Sequence, residues 1–215
     1  GATLQQMLDT DHHFTVAEVV QHGVRLLKGI AALHRLEIAH RDIKPANVHL
    51  GQDGRLRILD LGVAVSSGES ARHEGNPGTP SFMAPELFDG VAAGVEHDLY
   101  AAGVTLYHLL TRKYPYGEIE PFQHPKFGEP VAPTRYRPEI PGWLENVLLK
   151  AVAKDPAQRF ETAEEFLLAL ERGANRPVSR PPVTPLAMRN PLLTWRIIAG
   201  VSLLANLLLL MLLTR

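Results

Sequence analysis

The chain has 215 residues, no cysteine, and 22 Lys+Arg against 23 Asp+Glu for a formal net charge of -1. That length buries one good-sized core with room for appendages, and without cysteine neither a disulfide framework nor a thiolate metal site is possible, so no oxidising compartment is required. The charge is unevenly spread, because residues 1–171 hold 16 Lys+Arg against 23 Asp+Glu while residues 172–215 hold six Arg and no acid; an acidic body argues against general nucleic-acid binding, which wants a basic stripe.

In chain order, Thr15-Val16-Ala17-Glu18 has the capping-box spacing and opens a run with apolar residues at Val16, Val19, Val20, Val24, Leu27, Ile30, Ala31 and Leu36. This predicts a long, mostly buried helix. The stretch VHLGQDGRLRILDLG predicts two short strands, Val48–Leu50 and Leu56–Leu59, turned at Asp53-Gly54. Everything after this hairpin reads as helical or irregular. Residues 97–111 predict a strongly apolar helix, residues 143–153 another, and Thr162-Ala163-Glu164-Glu165 caps a last one running to about Leu170. Between the first two, residues 114–142 hold seven prolines and little periodicity, which predicts an ordered loop or a degraded element. The expected fold class is mainly α with a small β-hairpin.

Five prolines between Pro177 and Pro191, interleaved with Arg, Ser, Thr and Asn, stop helix and sheet alike, so residues 173–191 read as an extended linker. Beyond it, Ile197 to Leu213 is uncharged over 17 residues, with only Ser202 and Asn206 clearly polar. A helix of that length covers about 26 Å of a hydrocarbon core of roughly 30 Å, and Leu192 to Trp195 can extend it while Arg196 snorkels. Residues 192–215 are therefore expected to form a single-pass anchor in a lipid bilayer. Arg176, Arg180, Arg189 and Arg196 precede the span and only Arg215 lies beyond it, which places the body of the chain in the cytoplasm by the positive-inside rule.

Motifs with chemistry arrive in a fixed order: His40-Arg41-Asp42-Ile43-Lys44-Pro45-Ala46-Asn47, Asp60-Leu61-Gly62, Gly78-Thr79-Pro80 and Ala84-Pro85-Glu86, then Asp98 in HDLYAAGVTLYHLL and Arg159 in DPAQRF. Over about residues 1–171 the chain resembles the C-terminal lobe of Ser/Thr protein kinases. Taken singly, Asp42, Asn47 and Asp60 could be turn residues; the ordered set points to phosphoryl transfer.

That chemistry needs a carboxylate for the hydroxyl proton, oxygen ligands for a divalent cation, and a cation facing phosphate. The resemblance implies ATP as phosphoryl donor, Mg²⁺ as metal with Mn²⁺ able to substitute, and a protein Ser or Thr as acceptor. It implies Asp42 as base, Lys44 at the transferring phosphoryl group, and Asn47 and Asp60 as metal ligands, brought together by the hairpin between them. Thr79 is expected to bond to Asp42 and Lys44 beside the substrate hydroxyl. Glu86 and Arg159 are expected to form a buried ion pair, and Asp98 to brace the His40–Arg41 loop, with His40 packed beneath it. Arg41 implies regulation by a phosphate on Ser66, Ser67 or Ser70. The ten histidines are scattered without a His-x₃-His pair, which leaves no zinc motif.

Two departures accompany the resemblance. Leu61 stands where the family usually has Phe, and the region around 117–142 lacks the helix the family usually carries. The family's glycine-rich loop, strand Lys and helix Glu have no counterpart in these residues, and Gly1-Ala2-Thr3-Leu4 resembles the exit from the hinge between lobes. A truncated kinase domain over residues 1–172 is expected, inactive without its N-terminal lobe. The arrangement is similar to bacterial membrane-anchored signalling kinases, and YPYGEIEPF with the thin 117–142 region looks like the group fused to an N-terminal metal-dependent protein phosphatase. The alternative is a membrane-tethered pseudokinase scaffold.

Overall fold

A computed structural model describes residues 1–61, 79–120 and 125–175, together with the backbone of 65–66. Its elements are β1 (Ala2–Thr3), α1 (Leu4–Asp9), α2 (Val16–His34), β2 (Ile38–Ala39), β3 (Val48–Leu50), β4 (Leu56–Ile58), β5 (Val65–Ser66), α3 (Pro85–Phe88), α4 (Val95–Thr111), α5 (Gly142–Ala151) and α6 (Ala163–Ala174). Short 3₁₀ turns at Pro45–Asn47, Pro80–Phe82, Pro133–Arg135 and Pro156–Gln158 each begin with a proline, which fits a first turn because its missing N–H would be unpaired there anyway.

Helix α2 starts where its capping box says. Thr15 Oγ1 accepts from the Glu18 N–H at 3.2 Å, and Glu18 Oε2 accepts from the Thr15 N–H at 2.7 Å. That backbone hydrogen bond is the main reason the Glu18 carboxyl lies below the usual glutamate range. Thr15→Ala is expected to lower stability by about 1 kcal/mol, or roughly 2–4 °C in a thermal melt. An unchanged melt would show that packing alone holds the helix start. The helix ends at His34, short of the predicted Leu36, which is exposed beside Glu37 at φ 58°.

The buried stripe of α2, with Leu26, Leu27 and Ile30, meets Leu106 and Leu109 of α4 and Phe166 and Leu170 of α6 in one apolar core. Each such side chain adds about 2 kcal/mol on burial. Gly23 sets the closeness of approach, since a Cβ there would lie 2.9 Å from both Leu106 Cδ1 and Leu170 Cδ1. Helix α4 is buried around almost its whole circumference, as an apolar run without a polar face requires.

The predicted hairpin is present, with Val48 paired to Ile58 and Leu50 to Leu56. It belongs to a three-stranded sheet, because β1 adds to β3 with Ala2 opposite Leu50. Arg25 Nη1 donates to Gly54 O at 2.8 Å and Ile58 fits against Gly29, so the hairpin is fixed to α2. The reading of everything after the hairpin as helical or irregular is corrected by β5, whose Val65–Ser66 pairs antiparallel with β2. Two residues per strand leave no period for a sequence to display.

Helix α5 stops at Ala151, earlier than predicted, because the chain turns so that Arg159 can take the carbonyls of Ala153 (2.7 Å) and Lys154 (3.0 Å). Helix α6 runs past Leu170 to Ala174, with Gly173 lying flat against the Trp143 ring. The described part of 114–142 is an ordered loop with a single 3₁₀ turn at Pro133–Arg135. Arg137 Nη1 donates to Phe14 O (2.8 Å) and Leu110 O (3.1 Å), and the Tyr107 hydroxyl to Val131 O (2.8 Å), which hold it without periodic structure. Among the described residues no helix is long and apolar enough to cross a membrane; the expected span at 192–215 and most of the 173–191 linker lie outside the described residues.

Candidate active site

The residues between β2 and β3 fold into a loop whose backbone is held from below. Asp98, 1% exposed in the first turn of α4, accepts from the N–H of His40 (Oδ2, 2.8 Å) and of Arg41 (Oδ1, 2.8 Å). His34, from the last turn of α2, reaches the same carboxylate, Nε2 to Oδ2 at 3.0 Å. These contacts over-determine a costly backbone, since Arg41 has φ 69°, a conformation disfavoured for a residue with a Cβ by about 1–2 kcal/mol.

His40 is fully buried and joins this loop to the next. The Asp42 N–H donates to its Nδ1 at 3.3 Å, so Nε2 carries the proton and donates to Leu59 O at 2.9 Å. The Leu59 N–H in turn donates to Asn47 O at 2.8 Å. Asp60, at φ 61°, therefore comes directly after a residue tied to both His40 and Asn47.

Asp42, Lys44, Asn47 and Thr79 come together. Asp42 Oδ2 receives Lys44 Nζ at 2.8 Å and Asn47 Nδ2 at 2.8 Å, and the same Asn47 amide nitrogen donates to Asp42 O at 2.9 Å. Lys44 Nζ also donates to Thr79 Oγ1 at 2.9 Å, so the ammonium stands between Thr79 and Asp42. With both Asn47 amide hydrogens turned to Asp42, its Oδ1 is the atom left to serve as a ligand.

Among the described residues no group of three His, Cys, Asp or Glu side chains could enclose a metal ion. The donors at the end of the hairpin are one carboxylate, Asp60, and one amide, Asn47. Such an all-oxygen, sparse set fits a hard cation that keeps its waters and takes further oxygens from phosphate. It does not fit zinc.

Glu86, at the start of α3, lies far from Asp42 in sequence and is bound at both oxygens, by Arg159 Nη1 (2.6 Å) and Nη2 (2.8 Å). His97 Nε2 stands 3.2 Å from Glu86 Oε1, and Arg159 lies over the Tyr100 ring at 4.7 Å. Burial would raise the Glu86 carboxyl, but the close His97 ring and the two Arg159 hydrogen bonds outweigh it and hold the group at about 2. Leu61 is 54% exposed. Ser66 lies in β5, its backbone paired with Ile38, and Ser67 and Ser70 lie outside the described residues.

His34 and His97 carry no mark in the sequence that separates them from ordinary packing histidines. Nothing local could, since each acts on a carboxylate that is remote in sequence or on the next element.

A helical body that presents Asp, Lys and Asn from one braced loop, with a second Asp on an adjoining hairpin, has the parts of a phosphoryl-transfer lobe. The model of the protein kinase domain matches residues 1–168, and the chain belongs to that family. Among curated proteins it is 33% identical over 179 residues to a probable serine/threonine-protein kinase of Streptomyces coelicolor, covering 80% of this chain and 26% of that protein. It is 33% identical over 172 residues to the serine/threonine-protein kinase PrkC of Bacillus subtilis (77% and 26%). The probable serine/threonine-protein kinase PknB of Corynebacterium glutamicum is 31% identical over 191 residues (83% and 29%). The chain spans between a quarter and a third of the length of these relatives.

Proposed function

We propose that this chain is the large lobe of an ATP-dependent Ser/Thr protein kinase of the bacterial, membrane-anchored type, moving the γ-phosphoryl of ATP to a protein hydroxyl. The observation that carries this reading is the double engagement of Asp42 Oδ2 by Lys44 and Asn47. It fixes the carboxylate and turns Oδ1 toward use as acceptor of the substrate hydroxyl proton. Lys44, held by Thr79, offers its charge to the transferring group, and Asn47 Oδ1 with Asp60 would hold Mg²⁺, or Mn²⁺ in its place. When bound, the metal would neutralise charge on the β- and γ-phosphates.

Arg41 Nε is buried and makes no hydrogen bond among the described residues, which supports a role in receiving a phosphate on Ser66, Ser67 or Ser70. The finer parts of the reading rest on the sequence: a kinase lobe whose expected end at 172 moves to the end of α6 at Ala174, a linker from there to 191, and a bilayer anchor over 192–215 with the lobe on the cytoplasmic side. Kinship with the group bearing an N-terminal phosphatase domain rests on YPYGEIEPF and the loop behind it. Carbonate-resistant membrane association tests the anchor, and full extraction would remove it.

The catalytic reading is tested by phosphate transfer from labelled ATP to Ser/Thr peptides with Mg²⁺, comparing these 215 residues alone with the same residues joined to a nucleotide-covering kinase lobe. We expect hardly any transfer from the chain alone and clear transfer from the joined form. A robust rate from the chain alone would overturn the need for a second lobe. No transfer from a folded, ATP-binding joined form would favour the pseudokinase scaffold.

A further inference from the structure

A groove of about 720 Å³, with no Asp42 in its lining, lies between α3, the 129–130 loop, α5 and the 153–158 turn. Its walls include Pro85, Pro130, Leu149 and Pro156. Three prolines with fixed φ make those walls rigid, so little ordering would accompany binding. Its volume lies within the range of ligand-holding clefts, roughly 300–1,000 Å³.

Carboxylates outnumber cations at this groove. Glu86 is occupied by Arg159, and Lys154, which donates to Phe127 O at 3.0 Å, is among the described residues the one cation in the wall against Asp89, Glu129 and Asp155. Asp89 and Glu129 are exposed and have no ion-pair partner among the described residues. Asp155 uses one oxygen to cap the 3₁₀ turn, accepting from the Ala157 N–H at 3.0 Å, and keeps its charge at the rim. An apolar, preformed floor with unmatched carboxylates at its edge calls for a cation carried on an apolar stem or beside an apolar side chain.

We infer that this groove docks a basic segment of a partner protein, an apolar residue seated against Leu149 and the prolines and flanking Lys or Arg side chains facing Asp89 and Glu129. A second copy of this chain or an acidic peptide would be a different occupant. The inference concerns binding alone and stands whether or not Asp42 catalyses transfer.

The test is fluorescence anisotropy of the purified chain with a labelled peptide of about ten residues containing Leu flanked by Lys and Arg, at low salt where rim charges are least screened. Saturable binding is expected. A D89N/E129Q double variant, with an unchanged circular-dichroism melt, should bind roughly tenfold more weakly, and a Lys/Arg peptide with Leu replaced by Ser should lose a similar factor. Unchanged affinity in D89N/E129Q, equal binding of a Glu/Leu peptide, or no saturable binding would each overturn the proposal. So would self-association of the chain that D89N/E129Q abolishes, since it would assign the groove to a second copy.

Discussion

Asp42→Asn is expected to lower phosphate transfer by about 10³-fold in the chain joined to a nucleotide-covering lobe, within the range that a positioned general base contributes. The substitution keeps the size of the side chain and an oxygen that can accept from Lys44 Nζ and Asn47 Nδ2, each 2.8 Å from the carboxylate. What it removes is the capacity to take a proton. The loss should therefore fall on kcat, with KM for ATP and the melting temperature little changed, because Asn can keep the contacts to Lys44 and Asn47 and the loop is fixed by Asp98 and His40. A kcat within tenfold of the parent would sink the role given to Asp42. A collapse of stability would instead show that its carboxylate is structural.

Helices α2, α4, α5 and α6 are legible because each follows from local chemistry: a capping box at Thr15, a capping threonine at Thr162, and apolar runs too long and too uniform to lie anywhere but in the core. The hairpin is legible because Asp53-Gly54 demands a turn, and Gly54 has φ 70°. Thr3-Leu4-Gln5-Gln6 carries the same signal as Thr15 in a helix of only six residues, too short to show an apolar period; Thr3 and Gln6 form a complete capping box that starts α1. Strands β1, β2 and β5 cannot be seen, since each is two residues long and exists only through a partner distant in sequence. Likewise the order of motifs names Asp42, Lys44 and Asn47, but which donor meets which oxygen depends on side-chain placement. His34 beneath Asp98 and His97 beside Glu86 are products of the packing of α2, α3 and α4. A linear pattern holds no record of that packing.

Arg159→Met is expected to destabilise the chain by about 3–5 kcal/mol near neutral pH, the loss typical of breaking one side of a buried ion pair. Arg159 is 6% exposed and supplies both hydrogen bonds across the Glu86 carboxylate, as well as those to Ala153 O and Lys154 O that close the end of α5. Methionine can fill the space over Tyr100 but leaves Glu86 with His97 alone. The effect of acid should change with it. Glu86 is held at about 2 against its ordinary 4.5, so its ionised form stabilises the fold above pH 4.5, and that contribution disappears as pH falls from there toward 2. A shift of that size corresponds to about 3 kcal/mol, at roughly 1.4 kcal/mol per unit. Urea unfolding of parent and variant at pH 7 and at pH 3 separates the pair from the other carboxylates, which both proteins share. The gap between the two proteins should narrow in acid, because the parent loses what the variant no longer has. Parallel losses on acidification would show that His97 and the start of α3, rather than Arg159, keep Glu86 ionised.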